Sequence, residues 1–354
     1  MSRYSRPGMS QIDQLSSRDG NLMRRSLLPG HRGAMSVSVA AILLLTALSL
    51  GGCQSSSTEA AKAEAPPVAS GDHPAAHIFS VPSAKTSFVF IQTGSTGPHR
   101  LTTRTTGWET DGVISPKGDA VAYAVADGPE DKSEVWVSRI DGTHAHRVSA
   151  ADDDASNPAF GPDGKWLLYA KSNFYGHYSP IARSRKHKYD VVKVAVDPED
   201  RVAGAVPVQL TQQEFFDLRS LAVSADGERF LVSTTGYPIG SLFLEFEIAK
   251  PLAIKRIFQP HVPSEPRMGP AFGPALYTND GAGIVFSAAS EGKDGKYNYN
   301  VYQMSAVTAA DLNQLTQRSG MIDEISVGAD GTVYFSEGIQ RYALDPKTRQ
   351  LKQE

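Results

Sequence analysis

The side chains of this chain that could do chemistry fall into two groups. The first is acidic: Glu109 with Asp111, the run Asp152-Asp153-Asp154, Asp217 with Arg219, and Asp323 with Glu324. Grouped carboxylates are hard oxygen donors of the kind that calcium takes. The Asp152 to Asp154 run lacks a glycine-spaced ligand pattern, however, and reads as a solvated acidic loop, the ordinary state of a charge run. No cofactor is expected from it. The second group is aromatic and then basic. Phe174, Tyr175, His177 and Tyr178 precede Arg183, Arg185, Lys186 and Lys188, and Tyr, Phe and Arg are the side chains that anchor interfaces. The stretch from Lys171 to Lys188 reads either as an insert that binds a partner bearing acidic, phosphate or carboxylate groups, or as a decorated surface loop.

The other histidines are scattered. His73 and His77 stand four apart, but Pro74 between them denies the helix on which that spacing would matter. They read as solvated linker residues. His144 and His146 flank a hairpin turn and alternate onto one face of an outer strand, as exposed polar residues do. There is no Gly-x-Ser-x-Gly elbow, Walker loop, His-Glu-x-x-His or Gly-x-Gly-x-x-Gly after a strand, so no residue is assigned a catalytic role from motifs.

These groups are set by a repeat. Turn tetrads recur at Ser115-Pro116-Lys117-Gly118, Gly161-Pro162-Asp163-Gly164, Ser224-Ala225-Asp226-Gly227, Thr278-Asn279-Asp280-Gly281 and Gly328-Ala329-Asp330-Gly331. In each the glycine supplies the positive φ expected of a two-residue turn, and an apolar strand such as Trp166-Leu167-Leu168-Tyr169 follows. Two further strands trail each hairpin, the last ending in Val208-Gln209-Leu210-Thr211 or Asn313-Gln314-Leu315-Thr316. Four short strands at a period near 50 residues make the blade of an all-β propeller. Five tetrads, with added strands at Ile78 to Val81, Ser87 to Gln92 and His99 to Thr103, give six blades, with five or seven left open. Pairing of N-terminal with C-terminal strands is expected to close the ring.

The unit Pro158-Ala159-Phe160-Gly161-Pro162-Asp163-Gly164-Lys165, an apolar strand, a Val-Tyr or Val-Trp strand, then Gln-Leu-Thr, resembles the repeat of the TolB-type β-propellers from about residue 77 to 354. The resemblance implies a scaffold of the cell envelope that binds a protein or polysaccharide and performs no catalysis. The alternative is a propeller enzyme, a sugar lyase or hydrolase. In a propeller, Glu109, Asp111, Asp153, Asp154, Asp217, Arg219, Asp323 and Glu324 would ring one mouth of the central channel, a candidate site by position. The repeats run to Glu354, so no appended peptidase domain is expected.

Ahead of the repeats, Met35 to Leu50 is apolar and too short for a comfortable membrane span, behind a basic stretch that holds a second candidate start at Met23. Gly51-Gly52-Cys53 resembles the lipobox of bacterial lipoproteins. Residues 1–52 then read as a signal peptide, with Cys53 lipidated and 53–76 a polar tether, and Gln54 implies the outer membrane by resemblance to known sorting rules. Cys53 is the single cysteine among 354 residues, so no disulfide staples the fold. Removing residues 1–52 leaves 29 basic against 36 acidic side chains, a net charge of −7. An acidic surface argues against nucleic acid as a partner. With 31 Gly and 22 Pro the chain favours turns and short strands over helices.

Overall fold

The computed structural model describes residues 76–94, 97–176, 185–200, 205–236, 240–267, 269–322 and 324–354, which form strands and turns and no helix. Strands β1 (Ala76–Pro82), β2 (Ser87–Thr93) and β3 (His99–Arg100) form one antiparallel meander, and β4 (Trp108–Ile114), β5 (Ala120–Ala126), β6 (Ser133–Arg139) and β7 (His146–Arg147) form another. The two share a sheet only through the parallel pair Ser87 and Trp108. Four separate four-stranded sheets follow. They are β8 (Asp154–Phe160), β9 (Trp166–Tyr175), β10 (Lys186–Ala195) and β11 (Val208–Gln209); β12 (Ser220–Val223), β13 (Arg229–Gly236), β14 (Gly240–Glu247) and β15 (Lys250–Phe258); β16 (Phe272–Tyr277), β17 (Gly283–Glu291), β18 (Tyr297–Ser305) and β19 (Asn313–Gln314); and β20 (Glu324–Val327), β21 (Val333–Glu337), β22 (Gln340–Leu344) and β23 (Leu351–Gln353).

The repeated residues make the repeated geometry. In each tetrad the glycine N–H donates to the carbonyl of the first residue, at 2.8 to 3.0 Å, and the glycine φ lies between 67° and 84°. The turn is therefore a four-residue one with glycine in its fourth place, not the two-residue turn expected from Asp-Gly. The aspartate has its own task. Oδ1 of Asp163, Asp226, Asp280 and Asp330 accepts the N–H two residues on, at 2.9 to 3.0 Å, the Asx geometry that favours aspartate here. The Gln-Leu-Thr signature is equally local. Thr211 and Thr316 accept the N–H of Val191 and Val301 through Oγ1 at 2.8 and 2.9 Å, while Gln209 and Gln314 donate back to the threonine carbonyls at 2.9 and 2.7 Å. Leu210 and Leu315 point into the core.

Apolar residues then join the sheets face to face. Each of the five clusters spans two neighbours: Val89 and Ile91 with Tyr123, Val135 and Val137 with Leu167, Leu168 and Val191 with Phe230, Phe243 with Phe272 and Phe286, and Val285 and Val301 with Phe335. The first strands β1, β4, β8, β12, β16 and β20 contact one another in that order, and β20 returns to β1. This is a propeller arrangement of blade-like sheets.

The seam where β1 meets the last sheet is built differently. His77 stacks on Tyr334, ring centroids 4.4 Å apart, the Arg341 guanidinium lies 3.8 Å above the Phe79 ring, and the Ser80 N–H donates to Glu324 Oε2 at 3.1 Å. His77 is 7% exposed and its Nε2 stands 3.0 Å from Glu354 Oε2. Its reading as a solvated linker residue is corrected: Pro74 precludes a helix but not the strand that buries His77. The expected closure by strand pairing is also revised. The last sheet draws all four strands from 324–353, and β1 closes the ring by packing against it.

Candidate functional site

Asp111, Asn157, Ser220, Pro274 and Glu324 each stand four residues before their turn tetrad, so the repeat places them at one level on successive first strands. Bulges at Asp111-Gly112, Asn157-Pro158 and Gly273-Pro274 set two residues against one on the partner strand. Asp111 and Asn157 take φ of 56° and 50°, a left-handed conformation that Asp and Asn tolerate better than other side chains. Gly273 approaches Ser287 closely, and a Cβ there would force the Ser287 hydroxyl to turn away.

No backbone ladder spans these first strands, and side chains of this level stitch the gaps. The Asn157 N–H donates to Asp111 Oδ2 at 3.2 Å, Asn157 Nδ2 donates to the Leu218 carbonyl at 3.3 Å, and the Ala275 N–H donates to Ser220 Oγ at 2.9 Å. They enclose a cavity of about 120 Å³ reached by residues of all these strands, among them Asp111, Asn157, Arg219 and Glu324, with His77, Arg341 and Glu354 at the seam. Burial raises the Asp111 pKa, against the opposing pull of the Asn157 N–H and the Lys186 charge. Burial likewise lowers that of His77; Glu354 opposes this and Arg341 adds to it.

Of the expected mouth residues, Asp111, Arg219 and Glu324 line this cavity, and Asp323 lies outside the described residues. Glu109 does not reach it. That side chain is buried between the first two meanders, accepting from the Val89 N–H at 3.2 Å and Thr102 Oγ1 at 2.6 Å. Arg219 is spent on Asp217, Ser241, Thr235 and the Phe272 carbonyl. The solvated-loop reading of the aspartate run fails at two of its three members. Asp153 is buried with Tyr169 Oη at 2.6 Å and Lys171 Nζ at 2.8 Å, and Asp154 with the Ser133 N–H at 2.9 Å and Lys186 Nζ at 3.2 Å. Among the described residues no three His, Cys, Asp or Glu stand together as a metal would require.

The aromatic and basic stretch is largely a hairpin rather than a loop. Asp154, at the start of β8, pairs with Ser172, and β9 runs on to Tyr175 opposite Lys186. β9 and β10 therefore run three residues beyond the start of β8, through Tyr175. Phe174 is 42% exposed there, and Phe216, from the β11 to β12 connection, is 56% exposed; both flank the His187 ring at 6.3 and 6.1 Å. The expected group of cations is dispersed. Lys186 turns to Asp154, Lys188 pairs with Glu214 at 3.0 Å, and the Arg185 guanidinium lies 4.6 Å from the Tyr175 ring centre. His177, Tyr178 and Arg183 lie outside the described residues, as does Cys53.

Sequence reasoning missed His77, Asn157, Arg341 and Glu354. Asn157 was findable from its place before the tetrad; the seam residues come from strands outside the tetrad register.

No family model matches the chain, and no curated protein does. Solved structures do. TolB from Acinetobacter baumannii is 14% identical with a TM-score of 0.57 over 78% of this chain, a match that spans 62% of that protein. A protein assigned as TolB in Agrobacterium tumefaciens is 11% identical at TM-score 0.53, over 80% of this chain and 89% of that one. A chain of a nidogen/laminin complex is 7% identical at TM-score 0.54, over 78% and 91%. The chain has the TolB-like β-propeller fold.

Proposed function

We propose that this protein is a six-bladed, exported propeller that binds an envelope protein or polysaccharide on the face where the cavity opens, and performs no chemistry of its own. The observation that carries the reading is the exposure of Phe174 on the β9–β10 hairpin and of Phe216 on the β11 to β12 connection, beside the starts of β8 and β12, whose Asn157 and Ser220 line the central cavity. Exposed aromatics beside a polar rim are the usual anchors of a recognition surface. The similarity to TolB structures supports a binding scaffold, and the similar chain of the nidogen/laminin complex belongs to a protein complex. The blade count rests on the ring of first strands, with β1 to β3 as a three-stranded first blade. Lipidation of Cys53 would hold the domain to a membrane through the tether; Cys53→Ser should then move the protein to the soluble fraction with its fold intact.

The test is capture from envelope extracts by a soluble domain beginning near Ala75, repeated with Phe174→Ser plus Phe216→Ser and with Lys117→Ser in the opposite turns as control. Loss of the captured partner with the first variant alone is expected. The rival reading is a lyase or hydrolase at the mouth. It gains if the purified domain shortens an envelope polymer, and if that activity is lost with Asp111→Asn.

A further inference from the structure

Cations that the fold leaves without a carboxylate gather on the first sheet rather than on the aromatic and basic stretch. Residues 76–107, which make β1 to β3 and the loop into β4, carry Lys85, Arg100 and Arg104 and no Asp or Glu, whereas 108–354 carry 25 basic against 33 acidic side chains. The three stand at one end of the sheet. The β1–β2 turn that holds Lys85 and the loop that holds Arg104 are joined where the Ser87 N–H donates to the Gly107 carbonyl at 3.2 Å. Arg100 reaches the same place, its guanidinium 3.6 Å from the centre of the Phe88 ring and donating to the Arg104 carbonyl. Ser87 pairs with Trp108, so this is the end at which β4 begins.

Their compensation is slight. Among the described residues Lys85 and Arg100 form no ion pair, and Arg100 Nε is buried without an acceptor. Arg104 stands 3.9 Å from Glu109, a fully buried carboxylate that already accepts from the Val89 N–H and Thr102 Oγ1. Asp127, Glu130 and Asp131, in the β5–β6 connection at this end, form no ion pair with the three cations. The surroundings are hydroxyls. Thr103, Thr105 and Thr106 are exposed, and among the described residues of 83–107 no large apolar side chain is. A protein interface is built on buried aromatic and apolar anchors, which this surface lacks; a hydrated polymer with anionic groups is held by charge-assisted hydrogen bonds and needs none.

We propose that this end of the first sheet receives a hydrophilic polyanion, a polysaccharide bearing phosphate or carboxylate groups, held by Lys85, Arg100 and Arg104 with the threonine hydroxyls as neutral partners. Arginine suits both anions, because its planar fork offers them parallel N–H donors. The proposal deepens the scaffold reading and rests on it for the envelope polymer as partner.

The test is a binding titration of the purified chain at low salt with dextran, carboxymethyl-dextran and dextran phosphate, polymers that share a backbone and differ in charge. The two charged polymers are expected to bind and dextran not to, with affinity falling as salt rises. Lys85→Ser and Arg100→Gln should each weaken binding about fivefold, the scale of one exposed cation at an anionic surface, and Lys117→Ser in the opposite turns should leave it unchanged. Thr105→Lys should tighten it by a similar factor, a gain that an unfolded variant cannot mimic. Oligo-aspartate and vesicles of anionic phospholipid stand for the other partners. Stronger binding of either than of the charged dextrans overturns the polysaccharide, as does equal binding of neutral dextran. Charged dextrans that fail to bind, or that bind all these variants alike, overturn the site. Its loss with capture through Phe174 and Phe216 retained would leave the scaffold reading standing, and loss of that capture with the charged dextrans still bound would leave this site standing alone.

Discussion

His77 is a neutral imidazole at neutral pH, because burial lowers its pKa from the ordinary 6.5; Glu354 opposes that shift and Arg341 adds to it. The unfolded chain therefore takes up the proton more readily than the folded one, and protonation draws the equilibrium toward unfolding as pH falls below about 6.5. The stability present above that pH is lost on acidification. His77→Phe, which keeps a ring against Tyr334, should flatten the fall in melting temperature between about pH 7.5 and pH 5.5; an unchanged slope would place the acid sensitivity elsewhere. A second residue-scale test lies in the fully buried Glu245, which meets Arg229 at 3.2 Å, Arg256 at 2.6 Å and Tyr277 Oη at 2.9 Å. Glu245→Ala removes this carboxylate from two half-buried guanidiniums, of which Arg229 alone keeps another, Asp226 at 3.1 Å. It should cost about 3 kcal/mol in denaturant unfolding, the scale for breaking a buried pair.

At the scale of elements, what was legible was local. A tetrad fixes its own turn through glycine and aspartate, and Gln-Leu-Thr fixes its own strand end, so both could be read from neighbouring letters. Thr211→Val should lower stability by about 1–3 kcal/mol by stranding the buried Val191 N–H, and Thr316→Val should do the same at Val301; circular dichroism melts will show whether the two repeats respond alike. What was not legible depended on partners remote in sequence. The run Asp152 to Asp154 looks solvated because Tyr169, Lys171, Ser133 and Lys186, which bury two of its members, come from other strands. Glu109 and Asp111 are two residues apart, yet one enters the inter-sheet core and the other the cavity, because the bulge begins between them. The cations of the aromatic stretch were visible as charges, but their neutralisation by Asp154 and Glu214 was not.

At the scale of the molecule, five interfaces between sheets are aliphatic and aromatic cores, while the closing seam rests on a stacked imidazole, a guanidinium over a ring and a few polar contacts. Opening should begin there, since the contacts that exclude the least apolar surface open at the lowest cost. Deleting residues 54–74 should leave the melting temperature nearly unchanged, whereas deleting through Thr103 removes β1 to β3, bares the inner surfaces of two sheets, and should bring aggregation or loss of the cooperative transition. Equal melting of the two truncations would contradict a closed ring. The claim that the cavity face is the recognition surface is tested most directly by hydrogen exchange of the domain alone and with its captured envelope partner. Protection is predicted at 109–113, 153–158, 172–176 and 213–219. Protection confined to the glycine turns at 115–118, 161–164 and 224–227 would put the partner on the opposite end and contradict the account.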